Sequence, residues 1–221
     1  FTKADSKGIS RHTWDGRMSS KASIRTNGEP ITEAYGTTFV LPGTYYESLS
    51  RSTNGTIETL VNHHEFKVNH LYNYEGIDME FNQSVDALMA RSNKISAQYS
   101  KLNDVLNKLR AGLRNTPGAN LEDLSFARSI ELELRELGVL LNGDSNRKKR
   151  EFETSSSLGD VTGLLAWGAY NHRGAPTGTM RAMKEDAEAM ITDAVMALEK
   201  INEKLDQLET KAREQGVPFW D

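Results

Sequence analysis

From Phe81 onward, apolar side chains recur at alternating spacings of four and three: Phe81, Val85, Leu88, Ile95, Tyr99, Leu102, Leu106, Leu109 and Leu113, with Ser92 as a single polar member. This is the seam of a long amphipathic helix with a heptad repeat. It predicts a helix from about Gly76 to Asn115, some 57 Å long if ~38 residues are helical. Asn115-Thr116-Pro117-Gly118 ends it, with Pro just past the last turn and Gly in the loop. The same spacing returns at Met180, Met183, Ala187, Met190, Ala194, Leu198, Ile201, Leu205, Leu208 and Ala212. It predicts a second long helix from about Thr177 to Gln215, capped by Thr177 and stopped by Gly216-Val217-Pro218. Between the two, Leu124, Ala127, Ile130, Leu134, Leu137 and Leu141 mark a helix closed by Asn142-Gly143. Leu164, Leu165 and Trp167 belong to a shorter helix from about Leu158 to Tyr170. The matched lengths of the two long helices predict an antiparallel hairpin, with the shorter helices forming its far end.

Ahead of the helices the pattern changes to period two. Thr37-Thr38-Phe39-Val40, Thr44 to Ser50 and Thr56 to Val68 read as strands. Pro42-Gly43 separates the first two, and Asn54-Gly55 is a strong hairpin signal between the second and third. A three-stranded meander needs a second layer over its apolar face, so a β-sandwich is expected, completed by residues 1–36 or by strands upstream. The chain opens at Phe1 without a Met, and a segment of a longer polypeptide is expected.

Composition agrees with a division near residue 75. The first part holds four of the five His and most of the Tyr, and is rich in Thr, Ser and Gly. The second is rich in Leu, Ala, Met, Glu and Lys. The expected class is α+β, with an antiparallel β-sandwich in 1–74 and an antiparallel helical bundle with two coiled-coil-like helices in 75–221. A net charge of -4 gives no bulk attraction to nucleic acid. No apolar span of ~20 residues predicts membrane insertion. With no Cys, disulfides and thiolate zinc sites are excluded.

Trp14-Asp15-Gly16 and Leu41-Pro42-Gly43-Thr44-Tyr45, in that order, carry a resemblance. Arg11-His12-Thr13-Trp14-Asp15, then Val40 to Tyr45, then long helices, resembles the C-terminal region of large bacterial sortilin-type β-propeller proteins. The β part is also similar to the Ig-like module of flagellar hook-capping proteins. Ala175-Pro176-Thr177 is similar to a segment that precedes the last helix of the sortilin-type proteins. Two departures stand out. Glu47 occupies a position that the family fills with an apolar residue, and Asn69-His70-Leu71 stands in place of Asp-Pro-Arg. The resemblance implies an Ig/fibronectin-like sandwich, an extracytoplasmic location and upstream β-propeller domains, sometimes glycosyl-hydrolase-like, as partners within one protein.

The motif itself reads as structural. Trp14 is expected in the sandwich core, Asp15 and Gly16 in a turn, and Pro42, Gly43 and Tyr45 in the entry to a strand. His63-His64-Glu65 and His70 lack His-Glu-x-x-His spacing and read as strand histidines; His64 and His70 would lie about 20 Å apart. Arg147-Lys148-Lys149-Arg150 reads as a solvated loop and a candidate for proteolytic nicking. No cofactor or catalytic constellation is indicated. Trp167, Tyr170 and His172, grouped at a Gly-broken bend, are the candidate interaction residues, and the ones to test if an active site forms with upstream domains. The expected function is a non-catalytic accessory region that docks or assembles a larger protein. The alternatives are part of a glycosidase-like enzyme, or a stalk that dimerises through its helices.

Overall fold

The computed structural model describes residues 11, 13–17, 39–69, 78–172 and 174–218. They form an α+β chain of one two-stranded antiparallel sheet and five helices: β1 (Gly43–Thr53), β2 (Thr56–Val68), α1 (Met79–Asn115), α2 (Leu121–Asn142), α3 (Ser145–Lys148), α4 (Leu158–Asn171) and α5 (Gly178–Glu214). The helix limits follow the heptad pattern to within a few residues, because each end is chemically marked. Asp78 caps α1 by accepting from the Phe81 N–H at 2.8 Å. Asn120 does the same for α2 through the Glu122 N–H, and Thr177 for α5 through the Met180 N–H.

The two long helices are parallel, not antiparallel. Arg181, in the first turn of α5, reaches Asp78 at the start of α1 at 3.7 Å and lies over the Phe81 ring. At the opposite end, a Cβ on Gly112 of α1 would fall 2.6 Å from Val217, just past α5. The antiparallel partner of both is a third column. α2 runs down beside α1 and α5, tied by Arg110–Glu131 at 2.7 Å and by the Lys204–Glu133 pair. α4 then continues in the same direction toward the starts of α1 and α5, where Gly168 lies against Met180. The bundle is therefore up, down, up, with its middle column broken at the α3 turn. Tight turns reverse the chain after α1 and after α4, and the 22 and 14 residues of α2 and α4 together nearly match the 37 of each long helix.

The seam positions form one core, with Val85, Leu106, Leu109 and Leu113 of α1, Ile130 and Leu134 of α2, Leu158 and Leu165 of α4, and Ile191, Ile201 and Leu208 of α5 all buried. Ser92 is buried within the seam as its polar member. Close approach of α1 and α2 depends on Gly138, where a Cβ would sit 2.6 Å from the Tyr99 hydroxyl.

In the β part, β1 and β2 pair from Gly43↔Val68 to Thr53↔Thr56 around Asn54-Gly55, whose φ values of 50° and 82° fit a tight primed turn. Two register shifts between Glu47 and Ser50 put extra residues into β2, and His63 takes φ 54° there. Among the described residues the only other β pairing is an isolated bridge, Arg17↔Phe39. The three-stranded meander expected over Thr37 to Val68 is thus a hairpin plus this bridge; Thr37 and Thr38 lie outside the described residues, as does most of the segment expected to supply a second layer. The distal half of the hairpin leaves Leu49, Ile57, Leu60 and Val61 exposed.

Candidate interaction site

α4 begins with a reciprocal cap. The Ser157 hydroxyl oxygen accepts from the Asp160 N–H at 3.1 Å, while the Asp160 carboxylate accepts from the Ser157 N–H at 3.0 Å and the Ser157 hydroxyl at 2.7 Å. Lys148 Nζ adds a fourth bond at 3.0 Å. The Ser157 bonds, backbone first, and then the Lys148 bond and charge hold the Asp160 carboxyl at about 2, well below its usual range. This anchors a helix whose inner face (Leu158, Thr162, Leu165, Ala166, Ala169 and Tyr170) is buried against α1 and α5. The outer face is different. Leu164 is 59 % exposed and Trp167 is 67 % exposed, three residues apart and therefore neighbours on one side of the helix.

The three candidate residues at the end of α4 do not converge. Trp167 faces outward from the bundle. Tyr170 is buried, and its hydroxyl lies near enough to the Asp86 carboxylate of α1 to be influenced by it. Burial, and then the neighbouring Asp86 carboxylate, push its pKa far above the usual value, with the positive charge of Arg17 opposing. His172 lies beyond the helix as its C-cap: its backbone N–H donates to the Gly168 carbonyl at 2.8 Å, and Nε2 stands 3.0 Å from the Ala175 carbonyl. One residue points outward, one joins the bundle core and one pins the turn into α5.

Trp14-Asp15-Gly16 forms a compact turn, with the Arg17 N–H donating to Asp15 Oδ1 at 3.0 Å and Trp14 Nε1 donating to the Arg17 carbonyl at 2.8 Å. Gly16 supplies φ 76°, and its carbonyl accepts from the Val40 N–H at 2.8 Å. Trp14 was expected in a sandwich core. It is 48 % exposed, and among the described residues it packs on the base of the hairpin, on Tyr45 and Phe66 at ring distances of 6.2 and 5.8 Å. Pro42 and Gly43 lead into β1, and the Tyr45 hydroxyl donates back to the Leu41 carbonyl at 2.7 Å. Arg17 stacks over Phe39 at 4.0 Å. Sequence reasoning passed over Arg17, since no local pattern marks its packing on Phe39.

The basic run lies where the middle column breaks. Residues 145 to 153 are all exposed, and Asn146, Arg147, Lys149, Arg150 and Phe152 line an open concavity. Of the four cations, Lys148 is held by Asp160. On β2, His64 stands 3.9 Å from Glu47, and His63 packs edge-on to Tyr46; His70 lies outside the described residues. Among the described residues, no group of three or more His, Asp or Glu is placed to hold a metal ion. No described helix is long and apolar enough to cross a membrane.

No protein family matches this chain, and no curated protein or solved structure matches it.

Proposed function

We propose that this chain is a non-catalytic docking region of a larger extracytoplasmic protein, and that it seats against upstream β-propeller domains of sortilin type through the outer face of α4. The observation that carries this reading is the pair Leu164 and Trp167, two large apolar side chains held in solvent on a helix that is capped and packed along its inner face. Rigidly presented tryptophan is the side chain most often found at the energetic centre of a protein interface. Other large apolar side chains are exposed on the bundle, Leu121, Leu132 and Met196 among them, but none is a tryptophan.

The choice of partner rests on the order of Trp14-Asp15-Gly16, Pro42-Gly43-Thr44-Tyr45 and the helices, which is the order of the sortilin-type C-terminal region. In this reading the hairpin with Trp14 is part of an Ig-like module that other strands complete, and the α1 and α5 seams act as a coiled-coil-like support. The divergence of Trp167, Tyr170 and His172 favours docking over an active site at the bend.

Side-chain oxidation footprinting of the parent protein and of residues 1–221 alone tests the proposal. Trp167 is expected to oxidise several-fold more slowly in the parent. Equal rates in the two would remove the α4 face as the docking surface.

A further inference from the structure

We propose that the outer groove between α1 and α5 takes a second copy of this chain, with the two-fold axis running along the helices. This inference does not rest on the α4 docking reading, and it uses a different face of the bundle.

The groove lies on the side of the long helices that α2 and α4 leave open. Its two walls carry opposite charge. Arg91, Lys94 and Lys101 stand on the α1 wall, and Glu199 and Glu203 on the α5 wall. All five side chains are exposed. Among the described residues none of them has an ion-pair partner, so the two walls do not neutralise one another across the gap. The floor is apolar, formed by Ile95 and Leu102 from α1 with Val195 and Leu198 from α5. The groove therefore offers apolar surface between two unsatisfied rows of opposite sign.

The direction of the helices selects the occupant. Because α1 and α5 are parallel, the basic row and the acidic row lie at the same height. A two-fold rotation about an axis along the groove keeps each residue at its height and exchanges the walls. It sets the basic row of each copy against the acidic row of its mate, twice per dimer. Rotation about an axis across the groove would instead lay like charges on one another. A second copy in the first arrangement satisfies both rows and covers the floor. The interface is small and half polar, so a dissociation constant on the order of 10 µM is expected.

The test is sedimentation equilibrium on the 221-residue chain across concentrations from well below to well above that value. Association from 24.7 kDa toward twice that mass is expected, weakening as salt is raised. Lys94→Glu with Lys101→Glu makes both contacts net acidic, with Arg91 the one basic side chain left on the wall, and Glu199→Lys with Glu203→Lys turns both basic. Each double variant is expected to loosen the dimer by on the order of 100-fold. Mixing the two double variants restores opposite charge in both contacts, so a one-to-one heterodimer is expected. That result also shows that both variants are folded. A monomer at every concentration overturns the proposal. So does a dimer indifferent to charge reversal, which would place self-association on the hairpin or on α4, and so does a mixture of variants that stays monomeric.

Discussion

At the scale of single residues, Tyr170 has the most consequence for the bundle. Its ring completes the inner face of α4, and its hydroxyl is buried beside the Asp86 carboxylate. Tyr170→Phe keeps the ring and removes the hydroxyl beside Asp86, so a loss of about 1 kcal/mol is expected in urea unfolding. The pH dependence has a definite sign. The hydroxyl ionises less readily in the folded chain than in the unfolded one, whose value is near 10.0. The unfolded state therefore loses its proton first, and stability falls as pH rises above about 10. Comparing the alkaline limbs of the wild type and Tyr170→Phe isolates this contribution. Parallel limbs would show that the Tyr170 hydroxyl is not held in this buried setting in solution. None of this is legible in the sequence, where Tyr170 is one aromatic residue of an apolar run and Asp86 one acid beside the seam residue Val85. Trp167 is partly legible: Leu158, Thr162, Leu165 and Ala169 take the inward positions, and a helical wheel drawn through them turns Trp167 away from the core.

Elements were the most readable scale. Seam residues such as Leu106, Leu134 and Leu205 are buried where the heptads put them, and Asn54-Gly55 and Thr177 mark a hairpin turn and a cap as their chemistry requires. The seam on α5 is read one residue wide of the mark at Met190, which is half-buried while its neighbour Ile191 is fully buried, because a straight helix drifts against a strict seven-residue repeat. The break before α4 shows how a local device can be worth more than its length. α4 has 14 residues, and its start is fixed by Ser157 and Asp160 with help from Lys148 across the loop. Asp160→Asn is expected to cost about 1 kcal/mol near neutral pH, the usual worth of such a cap. The carboxyl is held near 2, below its ordinary 3.8, so its contribution is complete above about pH 4 and fades as pH falls toward 2. Acid titration of unfolding should therefore show a component in that window that Asp160→Asn lacks. Lys148→Ala should narrow it only slightly, since the Ser157 bonds are the larger cause.

For the whole molecule, the sequence contains a clue that heptad reading alone does not use. Periodicity tells which residues face a neighbour but carries no direction, so two long helices of equal length look like a hairpin. The summed length of α2 and α4 is the missing datum: two pieces that together equal one long helix can fill a column between two others, and two reversals then leave the outer columns parallel. Because the chain has no Cys, spin labels can be placed on introduced cysteines without background. Gln83 on α1 and Asp186 on α5 are exposed near the end where Arg181 meets Asp78, whereas Glu214 is exposed at the other end of α5. A Gln83–Glu214 pair should therefore read about 40 Å or more, set by the rise along the helix, and a Gln83–Asp186 pair should be much shorter. The reverse ordering would restore the hairpin, and it would also remove the equal height of Lys94 and Glu199 on which self-association through the groove depends. One pair of distances thus decides both the topology of the bundle and whether its open face has the symmetry to bind its own copy.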